Sequence, residues 1–277
     1  MTAASALRRN APLGVFDSGL GGLTVVRALR AALPLENIVY LGDTARVPYG
    51  TKGADTVVKY ALSCARHLET RRVKAIVVAC NTVSAVAPER LRVELDLPVL
   101  EVIEPGARAA VRATRSGRIG VLATAGTIAS GAYPRAVARA STRTEVVGQA
   151  APLLVPLAEE GWVEGEVPRL AVRRYLEPLA RANVDTVVLG CTHYPLLFAV
   201  IEAEARALLG LEVQIIDSAV AVAASVAEFL EARGLARSSP SSGQVEVLVT
   251  DVPKQFAEVA ARFLGEGVND VTQVDLR

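Results

Sequence analysis

Cys80 and Cys191 stand in matching frames in distant parts of the chain. Cys80 closes the run Ala75-Ile76-Val77-Val78-Ala79-Cys80 and is followed by Asn81-Thr82. Cys191 closes Thr186-Val187-Val188-Leu189-Gly190-Cys191 and is followed by Thr192-His193. Each frame reads as a buried strand ending in a thiol, then a polar turn, then a helix. Ligands of parallel α/β sheets bind at the carboxyl ends of strands. Two thiols facing one substrate from opposite sides suit the transfer of a proton across a carbon, because a single base tends to return the proton to the face it came from. A free thiol titrates at about 8.5. One thiol must begin as thiolate and the other as thiol, and backbone N–H groups and the positive end of a helix are expected to favour the thiolate.

Two further loops hold groups able to meet a substrate. Asp17-Ser18-Gly19-Leu20-Gly21-Gly22 lies between the first strand and the first helix. It has neither the GxGxxG spacing of a dinucleotide site nor the Gly-Lys-Ser/Thr of a phosphate loop. Asp17 or Ser18 can cap the helix; alternatively, a carboxylate at this strand end can hold an amino group or poise a thiol. In Gly42-Asp43-Thr44-Ala45-Arg46-Val47-Pro48-Tyr49-Gly50, Tyr49 is either a packed aromatic or the place where the N–H groups of Tyr49 and Gly50 grip a carboxylate. Of the two histidines, His193 follows a thiol by two residues and is the functional candidate. His67 and Cys64 fall inside a helix and are expected to pack. Neither cysteine turn supplies two ligands at zinc spacing, so no metal is expected, and the absence of CxxC argues against a redox dithiol. A Cys–His acyl-transfer site would leave the other cysteine without a role.

The elements that must position these groups alternate strand and helix. The pattern predicts strands over 13–16, 38–41, 75–80, 97–100, 118–122, 186–191 and 212–216, and helices over 23–33, 56–69, 167–182 and 220–233. A helix is also expected to start near Ser130. The run Ser238–Gly243 is an exposed loop, and a strand–helix–strand from Val245 to Leu276 follows it. Arg71-Arg72 and Lys74 are expected to be a solvated helix end. This rhythm restarts after Pro105-Gly106. It indicates an α/β protein of two pseudo-symmetric lobes with mainly parallel sheets and the active site in the cleft between them. Residues 12–107 and 219–277 would form the first lobe, with Cys80, and 108–218 the second, with Cys191.

Bulk properties agree with such a chain. Of 277 residues 51% are hydrophobic, enough to fill two lobes. Thirty Lys+Arg against 29 Asp+Glu give a net charge of +1, and without a long run of one sign no nucleic-acid partner is expected. No apolar run reaches membrane-span length. Met1–Asn10 carries Arg8-Arg9 with no signal-like apolar stretch after it. Three cysteines without a secreted-type framework point to a cytoplasmic protein with reduced thiols.

The motifs Gly14–Gly22, Gly42–Gly50, Val78-Ala79-Cys80-Asn81-Thr82 and Leu189–Leu196, taken in order, closely resemble those of the glutamate racemases of the aspartate/glutamate racemase superfamily. Ile103-Glu104-Pro105-Gly106, Gly120–Thr127 and Pro152–Leu157 add to the likeness, which runs from about Pro12 to Asp217-Ser218 and more weakly beyond; the first ten residues are an extra tail. The resemblance implies a cofactor-independent isomerase that interconverts L- and D-glutamate for peptidoglycan, and so serves cell-wall biogenesis and cell shape. It implies Cys80 and Cys191 as the acid/base pair, with Asp17 near Cys80 and His193 near Cys191 assisting. It makes Cys191 the base towards L-glutamate and Cys80 the base towards D-glutamate. Substrate contacts implied are Asp17, Ser18, Tyr49, Gly50, Asn81, Thr82, Thr124, Thr127, Thr192 and His193, with one of Glu159 and Glu160 in the cleft. No lysine stands in a comparable loop to form a pyridoxal Schiff base. The partner expected is glutamate, with no membrane contact; a homodimer is compatible with a sequence that does not set oligomeric state. A sister racemase for aspartate, and a non-catalytic dicarboxylate-binding module, are the competing readings.

Overall fold

A computed structural model of the chain describes residues 9–252, 256–268 and 270–276. Residues 1–8, most of the expected N-terminal tail, lie outside the described residues, as do 253–255, 269 and 277 of the expected first lobe. Six strands, β1 (Leu13–Asp17), β2 (Ile38–Gly42), β3 (Ala75–Val78), β4 (Val99–Glu101), β9 (Val245–Val249) and β10 (Val271–Gln273), form one sheet in the order β10-β9-β2-β1-β3-β4. Four more, β5 (Arg118–Ala123), β6 (Glu145–Ala150), β7 (Thr186–Gly190) and β8 (Gln214–Asp217), form a second in the order β6-β5-β7-β8. Every pairing is parallel. β1, β3 and β7 are buried throughout, as covered parallel strands must be.

The order β2-β1-β3-β4 is repeated as β6-β5-β7-β8. The same winding therefore occurs twice. In each copy the chain leaves an inner strand to one side and returns to pair on the other. The loops after the first and third strands then diverge and leave a crevice at the carboxyl edge. Cys80 follows β3 and Cys191 follows β7, so the thiols occupy equivalent places in the two copies.

Helices cover both sheets. α1 (Leu23–Ala32), α5 (Ile103–Ala113), α7 (Ala132–Ala140), α11 (Ser218–Ala232) and α12 (Phe256–Leu264) fill the space between them. There Leu29, Ala107, Val137, Val222 and Phe263 share one apolar cluster with Val15 and Val77 of the first sheet and Val121 and Val188 of the second. α2 (Ala54–Thr70), α3 (Asn81–Ser84) and α4 (Pro88–Glu94) cover the outer face of the first sheet. α8 (Leu154–Glu159), α9 (Glu166–Arg181) and α10 (Phe198–Leu209) do so for the second. Among the described residues no helix is long and apolar enough to cross a membrane.

Three local expectations are corrected. The helix expected near Ser130 is two helices, α6 (Ala125–Ala129) and α7. Thr124 caps the first by accepting the N–H of Thr127, and Gly131, at φ +67°, breaks the path before Pro134 enters the first turn of the second. β6 has no counterpart in the expected strands, because this half-exposed edge strand, EVVGQA, lacks a continuous apolar run. Lys74 is not solvated. It is buried, its ammonium pairs with buried Glu36 and donates to the carbonyls of Arg9 (3.0 Å) and Leu235 (2.9 Å).

Candidate active site

The carboxyl edges of the two sheets face each other across a cavity of about 200 Å³. That is smaller than the usual drug-sized site of about 300–1,000 Å³ and suits a small metabolite. Ser18, Tyr49, Gly50, Cys80, Asn81 and Thr82 line it from the first sheet's loops; Thr124, Cys191, Thr192 and His193 line it from the second's. Both sulfurs thus belong to one cavity. Glycine makes the close approach of the two sides feasible: a Cβ on Gly21 would lie within 2.5 Å of Thr192 Oγ1 and His193 Nδ1.

Cys80 caps α3, directly after β3, and is only 5% exposed. Its thiol donates to Ser18 Oγ at 3.6 Å. Burial, and then the nearby Asp17 carboxylate, push the thiol up to about 12, against the weaker pull of the Val83 N–H and the Ser18 hydroxyl. Here the helix end does not outweigh burial. α3 has only four residues, too short a dipole to offset desolvation. The thiol form of Cys80 therefore prevails at neutral pH.

The surroundings of Cys191 differ. His193 Nδ1 lies 3.8 Å from Cys191 Sγ, while Nε2 meets Glu159 Oε1 at 2.9 Å. Burial opposes the imidazolium, but hydrogen bonds to Cys191 and Glu159, and their charge, raise His193 to about 10. The ring is held edge-on against Phe263, with centroids 5.0 Å apart. Glu159, and not Glu160, is the member of the pair on the cavity wall.

Asp17 and Thr127 are the two candidates that do not line the cavity. Asp17 is fully buried behind it, where Oδ2 accepts the N–H groups of Gly19 (3.2 Å) and Gly22 (3.0 Å). Burial raises its titration, opposed by the charge of His193 and by these N–H groups. Thr127 sits behind Thr82 and Thr124, the three hydroxyls forming a cluster at 3.0–3.4 Å. The Tyr49 side chain is a packed aromatic: its hydroxyl donates to buried Asp43, which also accepts from Arg46 Nε (3.0 Å) and Thr250 Oγ1 (2.9 Å), and its ring lies against Tyr60. What residues 49 and 50 can offer a ligand is main chain, at the start of a short 3₁₀ turn (Tyr49–Thr51) whose first N–H groups have no partner within the turn.

Sequence reasoning missed the apolar wall, to which Val47, Pro48, Pro152, Val155 and Pro156 contribute. These residues carry no chemistry of their own, and only the family likeness of 42–50 and 152–157 marked their segments. Among the described residues no group of three or more His, Cys, Asp or Glu is placed to hold a metal ion.

Comparisons with known proteins agree with this geometry. The family model described as Asp/Glu/Hydantoin racemase matches residues 23–226. The chain is 52% identical over 264 residues to a glutamate racemase of Geobacter metallireducens, covering 95% of this chain and 96% of that one. Its backbone matches a glutamate racemase from Francisella tularensis, solved in complex with D-glutamate, at a TM-score of 0.88 and 36% identity, covering 97% of this chain and 98% of that one. A Thermus thermophilus glutamate racemase, in complex with beta-chloro-D-alanine, matches at 0.86 and 46% identity with the same coverage. The repeated parallel winding, the two thiols on one cavity and these likenesses converge: the chain belongs to the Asp/Glu/hydantoin racemase family and is an isomerase.

Proposed function

We propose that the protein interconverts L- and D-glutamate by transferring a proton at Cα between two cysteines. The observation that carries this reading is the placement of Cys80 and Cys191 at equivalent ends of two copies of one winding, lining one small cavity. With L-glutamate, Cys191 as thiolate takes the Cα proton and Cys80 as thiol gives its own proton to the opposite face. The C–H bond broken on one side is replaced by one formed on the other, leaving Cys191 as thiol and Cys80 as thiolate. D-glutamate runs the same steps in reverse. The unequal surroundings of the sulfurs support this assignment: burial and Asp17 keep Cys80 protonated, while the His193–Glu159 pair sets a positive charge beside Cys191.

The hydroxyls of Thr82 and Thr124, with Thr127 behind them, and the N–H groups at 49–50 would serve a carboxylate. Ser18, Asn81, Thr192 and His193 would contact the amino-acid head group nearer the sulfurs. Asp17 acts through its charge on Cys80 instead of by contact. Hydrogen bonds to the head carboxylate strengthen as Cα becomes carbanion-like, and do so best in a water-poor cavity. The lobe division at 12–107 with 219–277, and 108–218, is part of this proposal, as is a role in supplying D-glutamate for peptidoglycan. A cytoplasmic setting suits three cysteines that are free and buried.

The test is circular dichroism of purified protein with each glutamate enantiomer and no added cofactor. Each should decay to zero ellipticity. Binding without decay would overturn the reading in favour of a non-catalytic module; decay of aspartate but not of glutamate would reassign the substrate.

A further inference from the structure

Ser218 and Tyr133 lie outside the cavity wall, yet they join its two sides. Ser218, the first residue of α11, donates to the carbonyl of Leu189 at 2.7 Å, two residues before Cys191. Tyr133, on α7, meets Ser218 Oγ at 3.2 Å, and the Asn81 amide Nδ2 donates to the Tyr133 hydroxyl at 3.0 Å. All three side chains are buried, at 3%, 2% and 4% exposed for Asn81, Tyr133 and Ser218. Glycines leave room for the chain of bonds: a Cβ on Gly106 would stand 3.3 Å from Ser218 Oγ, and one on Gly190 3.1 Å from the Tyr133 ring.

The donor directions follow from chemistry. A carbonyl only accepts, so the single hydroxyl proton of Ser218 points at Leu189. Ser218 Oγ must then accept, so Tyr133 donates to it. Tyr133, having used its one proton, can only accept from residue 81, and this fixes which end of the Asn81 amide faces it. A flipped amide would put two acceptors together or strip Ser218 of its donor. Oδ1 and the second N–H of Asn81, next to Cys80, are left for the cavity.

We propose that Tyr133 and Ser218 are positioning residues that lock the orientation of the Asn81 amide for substrate binding. The inference rests on the racemase reading above. Tyr133→Phe removes one oxygen and keeps the ring. KM for both enantiomers should rise about tenfold, the equivalent of roughly 1.4 kcal/mol and near the worth of one net hydrogen bond, while kcat changes less than threefold. In an Asn81→Ala background the same substitution should add less than twofold, because its effect passes through the missing amide. Ser218→Ala, which takes the acceptor from Tyr133 and frees it to donate towards residue 81, should show the same KM rise and the same non-additivity. It decides the matter if Tyr133→Phe does not fold. KM within twofold of the unmodified protein, or a fall in kcat at constant KM that adds in full to Asn81→Ala, would overturn the proposal. Absence of turnover in the unmodified protein would sink the functional reading and this inference together, whereas unchanged constants in the variants sink this inference alone.

Discussion

Replacing Asp17 with Asn should make Cys80 more reactive towards an alkylating agent. The carboxylate is fully buried and its charge is the second cause, after burial, that holds the Cys80 thiol at about 12. At pH 8 a thiol titrating at about 12 is ionised to about one part in 10⁴, since each unit between pH and pKa is a factor of ten. An amide at position 17 keeps an acceptor for the N–H groups of Gly19 and Gly22 but removes the negative charge. If that charge accounts for about one pH unit of the rise, the thiolate fraction increases about tenfold. Iodoacetamide labelling at pH 8, read by peptide mapping so that Cys80, Cys191 and Cys64 are resolved, measures this directly. Labelling of Cys80 that is unchanged or slower in folded Asp17→Asn protein would refute the electrostatic account of this thiol.

Three other outcomes are expected. Cys80→Ala and Cys191→Ala should each abolish inversion while leaving the fold intact, and in heavy water the unmodified enzyme should place deuterium at Cα of the product enantiomer first; full interconversion by either single variant would exclude a two-thiol mechanism. His193 is raised to about 10 from 6.5, so its pairing stabilises the fold fully below about pH 6.5 and is lost as pH rises through about 10. Glu159→Gln should therefore lower Tm at pH 7 and cease to do so above pH 10, and an equal effect at both values would count against the imidazolium. Lys74→Met leaves Glu36 buried without its counter-ion and should cost about 3–5 kcal/mol in urea unfolding, most of it recovered in the Glu36→Gln/Lys74→Met double variant.

The alternation of apolar runs and helical spacing made both sheets legible, because covered parallel strands such as AIVV and TVVLG announce themselves by composition. β6 was hidden for the converse reason: an edge strand open to solvent need not be apolar. The cysteine frames pointed to the site because equivalent strand ends repeat in sequence as well as in space. The protonation state of Cys80 was not legible. It depends on how deeply the thiol is buried and on the charge of Asp17, which stands 63 positions earlier in the chain. The burial of Lys74 was hidden likewise, since its partners Glu36, Arg9 and Leu235 come from three distant segments. Asn81 was named for its place beside a thiol, but nothing local linked it to Tyr133 or Ser218.

The winding is duplicated, but what flanks each sulfur is not: a hydroxyl and a buried carboxylate on one side, an imidazole and Glu159 on the other. Mirror-image amino acids have equal free energy in water, so the equilibrium constant is one and kcat/KM must be the same in both directions. Lopsided flanks can therefore shift kcat and KM for one enantiomer only together, by a common factor. Any difference in turnover between L- and D-glutamate is therefore matched by an equal difference in KM: it reports how differently the lopsided site holds the two bound hands, and leaves the position of equilibrium untouched.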